Sequence, residues 1–145
     1  MKHTRVLAFG TFDLLHEGQI NYLQQAKALG DELVVLVACD QAVERVKHRP
    51  AVHSQEERLA AVAKLPFVDK AVLGKPVARK EDYLRPIQEH APDIICLGYD
   101  QALDISEWLE GRVADMLPAT RIVRAKAYHP EVYKTSLLRT AHGRE

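Results

Sequence analysis

Val6-Leu7-Ala8-Phe9, Leu33 to Ala38, Val68 to Leu73 and Ile94-Ile95-Cys96-Leu97 are short apolar runs, and Gly10, Gly74 and Gly98 close three of them. Arg121 to Val123 makes a weaker fifth. Nearly continuous apolar runs of this length, bounded by turn residues, suit strands buried on both faces. Between them the spacing turns helical. Ile20, Leu23, Ala26 and Ala28-Leu29 keep one stripe, and Gly30 stands where a glycine at C′ stops a helix. Ser54 with Glu57 three residues on is a capping box, opening a helix with Leu59, Val62, Ala63 and Leu65 on one side. Asp82 is placed to cap a helix through His90, with Pro86 in the first turn, where backbone N–H groups lack intrahelical partners anyway. Trp108, Val113, Met116 and Leu117 mark a further helix that Pro118 ends.

Strands alternating with helices over short connections build a parallel sheet with right-handed crossovers. The expectation is therefore α/β: a Rossmann-like, doubly wound, five-stranded parallel sheet with helices on both faces, as one domain over residues 1–145. Ligands of such sheets sit outside the carboxyl ends of the strands, at the switch point. The segments after strands one, two, four and five are the places to look.

Composition narrows the function classes. Apolar residues are 47% and charged residues 28% of the 145, which excludes disordered and low-complexity classes. Lys and Arg number 20 and Asp and Glu 20, so bulk charge drives binding to neither nucleic acid nor anionic membrane. No apolar run approaches the roughly 18 residues of a membrane span, and Met1-Lys2-His3-Thr4-Arg5 leads straight into a strand pattern, not a signal peptide. Cys39 and Cys96 make no disulfide framework and read as small core residues of a reduced, cytoplasmic protein.

The segment after strand one reads Gly10-Thr11-Phe12-Asp13-Leu14-Leu15-His16-Glu17-Gly18-Gln19. It is neither the glycine-rich dinucleotide fingerprint nor a P-loop. It nevertheless has what a phosphate site needs: small residues for close backbone approach, a helix N-terminus near Gly18 and an imidazole beside it. Taken alone, His16 reads as a surface or capping histidine. The seven histidines include no zinc-binding spacing.

This segment, with the A-L-G-D-E-L-V-V that follows its helix, resembles the cytidylyltransferase-like nucleotidyltransferases, the superfamily that carries an H-x-G-H signature. A-C-D-Q-A-V-E-R-V-K at 38–47, Q-E-E-R-L at 55–59, V-D-K-A-V-L-G at 68–74 and P-D-I-I-C-L-G-Y-D-Q at 92–101 are most similar to the archaeal-type FAD synthases (FMN adenylyltransferases) and their bacterial relatives. The resemblance implies attack by a substrate phosphate oxygen on the α-phosphorus of a nucleoside triphosphate, with release of pyrophosphate. Catalysis of that kind is positioning plus stabilisation of phosphoryl charge.

Carried over, the resemblance implies the following roles. Gly10, Thr11 and Phe12 cradle phosphates with their backbone; His16, beside Glu17, stabilises the transition state at the α-phosphate; Gly18 lets the helix N-terminus approach. Lys47 contacts phosphate, or is a solvated helix-end lysine. Arg58 contacts the nucleotide, or is a plain surface residue. Asp100, between Gly98 and Gln101, lies near the base or ribose. Tyr128 flanks the nucleotide or packs in the core. Thr135 and Ser136 resemble the late serine/threonine motif that holds β- and γ-phosphates, or form an ordinary N-cap. Residues 121–145 carry six Lys/Arg against two Glu, a local +4 that suits a polyphosphate. The second signature histidine is Gln19 here, and a neutral glutamine donates a hydrogen bond but carries no charge.

A triphosphate substrate implies Mg²⁺ held mainly by phosphates and water, with Asp13 the nearest carboxylate. The partners expected are ATP or CTP and FMN or another phosphate-bearing acceptor, and the family commonly forms homodimers. Two other readings stay open. One is a cytidylyl- or adenylyltransferase acting on a phospho-alcohol such as glycerol 3-phosphate, or on a sugar phosphate. The other is a nucleotide-binding relative whose Gln19 reflects weakened chemistry.

Overall fold

Hydrogen-bond registers, all of them parallel, join five strands in the order β3-β2-β1-β4-β5. The computed structural model describes residues 3–98 and 103–126, with backbone alone for residues 46, 47 and 103–106. In chain order the elements are β1 (Arg5–Gly10), α1 (Glu17–Ala28), β2 (Glu32–Val37), α2 (Asp40–Lys47), α3 (Gln55–Ala63), β3 (Lys70–Leu73), a 3₁₀ turn (Lys80–Tyr83), α4 (Leu84–His90), β4 (Ile94–Leu97), α5 (Leu103–Met116) and β5 (Arg121–Arg124).

The apolar runs are continuous because both faces of the sheet are covered. Val6, Ala8, Leu33, Val35, Val37, Ile94 and Cys96 point to one side, where Leu23 and Ala26 of α1 and Val62 of α3 meet them. The alternate residues Leu7, Val34, Leu36, Ile95 and Leu97 meet Leu84 and Ile87 of α4 and Leu109 and Val113 of α5. Each of the Val, Leu and Ile side chains removed from water contributes about 1.5–3 kcal/mol. Cys39 and Cys96 are free and buried, as their reading as core residues expects. Among the described residues, no helix is long and apolar enough to cross a membrane.

Several boundaries differ from the expectation. The third strand starts at Lys70, because Val68 N–H closes a turn onto the Leu65 carbonyl at 3.1 Å instead of joining the sheet. Asp82 does not open α4 as its N-cap. It lies inside the 3₁₀ turn and accepts the N–H groups of Ala78 and Arg79 at 2.8 and 3.2 Å, and α4 begins two residues later. In α3 the Ser54–Glu57 capping box forms, but Ala63 is exposed and the buried face includes Arg58. Helix α2 carries its own apolar spacing in Ala42, Val43 and Val46, which the sequence reading passed over.

At the amino end of the sheet one device recurs. Asp31, Asp69 and Asp93 stand directly before β2, β3 and β4, and each accepts an N–H from the neighbouring strand or its lead-in. Asp31 takes Thr4 N–H, Asp69 takes Leu33 N–H and Asp93 takes Arg5 N–H, at 2.7–2.8 Å. Gly30 is needed there for room, since a Cβ would lie 2.8 Å from both the Thr4 carbonyl oxygen and Val6 Cγ2. The aspartates of G-D-E, V-D-K and P-D-I thus hold the end of the sheet opposite the site.

Candidate functional site

The loop between β1 and α1 lies at the switch point, where β1 sits between β2 and β4 and the chain crosses to opposite faces. Its first bend is strained. Phe12 has φ 56°, in the left-handed region that a bulky residue enters at a cost of roughly 1–3 kcal/mol. What holds it there is burial: the Phe12 ring is 3% exposed and lies over Gly10, whose added Cβ would meet ring carbons at 3.1 and 3.2 Å. Gly10 and Phe12 are therefore one steric unit.

Asp13 follows, also 3% exposed. Its Oδ2 accepts Val52 N–H at 2.8 Å and its Oδ1 accepts His53 N–H at 2.9 Å. These two bonds tie the carboxylate to the loop before α3. Among the described residues there is no cluster of three or more His, Cys, Asp or Glu able to hold a metal.

Arg58 is 1% exposed, which corrects its reading as a plain surface residue. Nη1 donates to the Thr11 and Ala38 carbonyls at 2.9 and 2.6 Å, Nε to the His53 carbonyl at 3.1 Å, and Nη2 to Asp40 Oδ1 at 2.8 Å. Those four bonds use all but one of the five guanidinium N–H groups. They join the segments after β1 and β2 to the one before α3. Asp40 and Gln55 reinforce the junction: Gln55 Oε1 accepts Asp40 N–H at 2.8 Å, and Asp40 Oδ2 accepts Gln55 N–H at 3.3 Å. The sequence reading missed both, although each heads a helix, where capping side chains belong.

His16 is the N-cap of α1, and its Nδ1 accepts Gly18 N–H at 3.1 Å. An N–H can only donate, so Nδ1 is the bare nitrogen and Nε2 carries the ring hydrogen. The cap thus sets the tautomer and places the imidazole at the positive end of a helix dipole. The capping role and a phosphate role are compatible here. Gly18 N–H is turned onto the imidazole, so Gly18 orients His16. Glu17 is exposed in the first turn, and Gln19, the third residue of α1, is half-buried.

On the far side of the switch point, Gly98 ends β4 and its carbonyl accepts from Arg124 Nη1 at 2.7 Å. Gln25 of α1 pairs with both backbone groups of Lys126 at 2.9 Å, fixing where the chain leaves β5. Burial pushes the Cys96 thiol up to about 11, which removes it as a nucleophile. Lys47 is the last residue of α2, but its side chain lies outside the described residues, as do Asp100, Gln101, Tyr128, Thr135 and Ser136.

A family model for cytidylyltransferase-like proteins matches residues 7–141. The FAD synthase of Methanothrix thermoacetophila is 46% identical over 128 residues, which is 88% of this chain and 84% of that protein. The FAD synthase of Methanosarcina acetivorans is 48% identical over 122 residues, 83% and 76% of the two chains. A crystal structure from Thermoplasma volcanium, described as a lipopolysaccharide core biosynthesis protein, matches with TM-score 0.76 at 40% identity over 88% of this chain and 99% of that one. The pantoate-beta-alanine ligase of Francisella tularensis, at 15% identity and TM-score 0.63 over 85% of this chain and 59% of that one, shares the fold.

Proposed function

The chain belongs to the cytidylyltransferase-like family and, as a relative of the FAD synthases, moves AMP from ATP to FMN to give FAD and pyrophosphate; we propose that one nucleotidyltransferase domain does this with the groups around the β1–α1 loop. An FMN phosphate oxygen attacks the α-phosphorus of ATP. The bond from that phosphorus to the bridging oxygen breaks, and pyrophosphate leaves with the electron pair. No protein nucleophile is involved, so the residues act by holding and by stabilising charge.

The observation that carries this assignment is the His16–Gly18 bond, which turns the Nδ1 edge of the imidazole onto the helix start and puts the ring hydrogen on Nε2. In this reading Nε2–H donates to an α-phosphate oxygen as charge develops there. Thr11 and Phe12 present backbone to the phosphates; Gly10 gives the room. Lys47 and Gln19 supply further donors, while Glu17 and Gly18 shape the helix start. Gly98, Asp100, Gln101 and Tyr128 take the nucleoside end, and Thr135 and Ser136 the β- and γ-phosphates. Asp13 and Arg58 support the same site from behind.

Nucleotidyltransferases of this kind generally use a divalent cation, and Mg²⁺ is the one proposed. The donor set suits an ion carried chiefly by phosphate and water oxygens, since Asp13 already accepts two backbone N–H groups. When bound, such an ion neutralises phosphate charge. A homodimer and a cytoplasmic location complete the proposal, the latter in keeping with the two free cysteines.

The test is pyrophosphate release with ATP and FMN, with FAD identified by chromatography. FAD formation supports the reading. Turnover only with CTP and glycerol 3-phosphate would move the chain to the phospho-alcohol branch, and nucleotide binding without turnover would make it a binding relative.

A further inference from the structure

The two neighbours of β1 leave it at different levels. Pairing with β2 runs on to Gly10↔Val37, whereas pairing with β4 stops at Ala8↔Cys96. Beyond that level β4 stays with β5, through Leu97↔Arg124 and the Ala125 N–H on the Leu97 carbonyl at 2.8 Å. The sheet therefore divides past Cys96: Phe9 and Gly10 go with β2, and Leu97 goes with β5. Ligands of open parallel sheets enter where neighbouring strands part in this way.

A side chain from α1 is fixed at the parting. Tyr22 OH donates to the Cys96 carbonyl at 2.5 Å, and Cys96 is the last residue of β4 in register with β1. The Tyr22 ring is half-buried and packs on the core that Leu23 and Ala26 enter. Three residues on, and so on the same face of the helix, Gln25 holds Lys126 just past β5. Its Oε1 accepts Lys126 N–H and its Nε2 donates to the Lys126 carbonyl, both at 2.9 Å. Asn21 Oδ1 accepts from the same Nε2 at 2.7 Å, so both amide hydrogens are engaged.

The β1–α1 loop is thereby shared between the two sides of the parting. Its first half belongs to the β2 side, because Asp13 holds Val52 and His53 while Arg58 holds Thr11. Helix α1, which His16 caps, is bonded instead to β4 and to the exit of β5. Tyr22 lies about 9 Å along the helix axis from His16, at roughly 1.5 Å per residue. Apolar packing through Leu23 and Ala26 is non-directional, whereas a bond to one backbone oxygen sets where the helix stands along the strand.

We infer that Tyr22 is a positioning residue for the transfer, with Gln25 as a second tie: it fixes α1 against β4, and so fixes His16 relative to the nucleoside end of the site at Gly98. The inference rests on the role proposed above for His16. The Tyr22 hydroxyl hydrogen is engaged by backbone, so the residue acts through the helix. A misplacement of about 1 Å at a reacting group is enough to cost about 100-fold in rate.

The experiment is a double-mutant cycle of Tyr22→Phe and His16→Ala, followed by FAD formation from ATP and FMN. Tyr22→Phe keeps the ring and removes the hydroxyl. It should lower kcat about tenfold, with KM for ATP and for FMN within about twofold of the parent, because a transition-state contact is what it disturbs. In the His16→Ala background the same change should cost less than about twofold, since the group it positions is gone. Gln25→Met should repeat both results, and it decides alone if Tyr22→Phe fails to fold. An unchanged kcat, a rise confined to KM, or a tenfold loss that persists without His16 overturns the assignment while the FMN reading stands. His16→Ala with parental activity overturns it together with the role of His16, and a parent that makes no FAD overturns it together with the FMN reading.

Discussion

Asp13 and Arg58 hold the same residue by its two backbone groups: Asp13 Oδ1 accepts His53 N–H at 2.9 Å, and Arg58 Nε donates to the His53 carbonyl at 3.1 Å. Arg58 also reaches Thr11 and Ala38, so the loops beyond β1 and β2 and the one before α3 share a single buried cross-brace. Such a brace holds the backbone of all three loops in place.

Replacing Arg58 by Met should therefore cost stability first. The change leaves three carbonyls and Asp40 without their donor, and breaking buried ionic hydrogen bonding costs about 3–5 kcal/mol. Urea denaturation checks this. A raised KM for ATP with unchanged stability would instead make Arg58 a nucleotide ligand.

Gly10→Ala should act through Phe12. The new Cβ lands 3.1 Å from ring carbon Cζ, and the ring is buried with no space to retreat. A forced fit of this kind costs about 1–3 kcal/mol. Phe12→Leu in the same chain should recover part of the loss, seen as non-additive Tm changes; strict additivity would refute the steric unit.

His16 has a capping role and a proposed catalytic one, and two substitutions separate them. His16→Ala should lower kcat/KM about 100- to 1,000-fold, the usual cost of one transition-state donor. It should also lose about 0.5–2 kcal/mol of stability with the cap. His16→Ser keeps a capping oxygen, so stability should return while activity does not. Recovery of activity in the serine variant would leave His16 as a cap and nothing more.

At position 19 the expected change is a gain. Gln19→His should raise turnover with ATP and FMN about tenfold at pH 6, since a charged hydrogen bond exceeds a neutral one by about 1–1.5 kcal/mol. The advantage should shrink at pH 8 as the imidazole loses its proton. A variant no faster than the parent at pH 6 would mean that Gln19 does not stand in for a missing cation.

Stability should fall with acid in two stages. Burial, then Lys70 and Arg5, hold His90 below its ordinary 6.5, so the unfolded chain takes up that proton first. Stability is fully present above 6.5 and declines as pH falls toward the folded value. Asp69 is held below 3.8, chiefly by the Lys27 side chain and Leu33 N–H, and Glu32 below 4.5, chiefly by Arg5 and then His3. Their contributions exist above those values and are lost as pH falls through the lowered ones. Tm should be level at about pH 7–8, and His90→Gln should abolish only the first decline. A first stage that survives in His90→Gln belongs to another group.

Strand positions and the helices α1, α3, α4 and α5 were legible in the sequence because they follow from local pattern. Apolar runs such as Ile94 to Leu97 announce double-sided burial, Ser54 and Glu57 announce a helix start, and the G-T-F-D-L-L-H-E-G-Q segment announces phosphate chemistry. The buried partners of Arg58 and Asp13 were not legible, because charge in a sequence suggests solvent or ligand. Only the fold brings the Thr11, Ala38 and His53 carbonyls around one guanidinium, and the Val52 and His53 N–H groups to one carboxylate. The same holds for Tyr22 and the Cys96 carbonyl, which lie on segments that packing alone brings together. Periodicity records which face of an element is buried. It does not record which backbone groups a buried polar side chain must satisfy, since those partners come from other parts of the chain and meet only when the sheet has assembled.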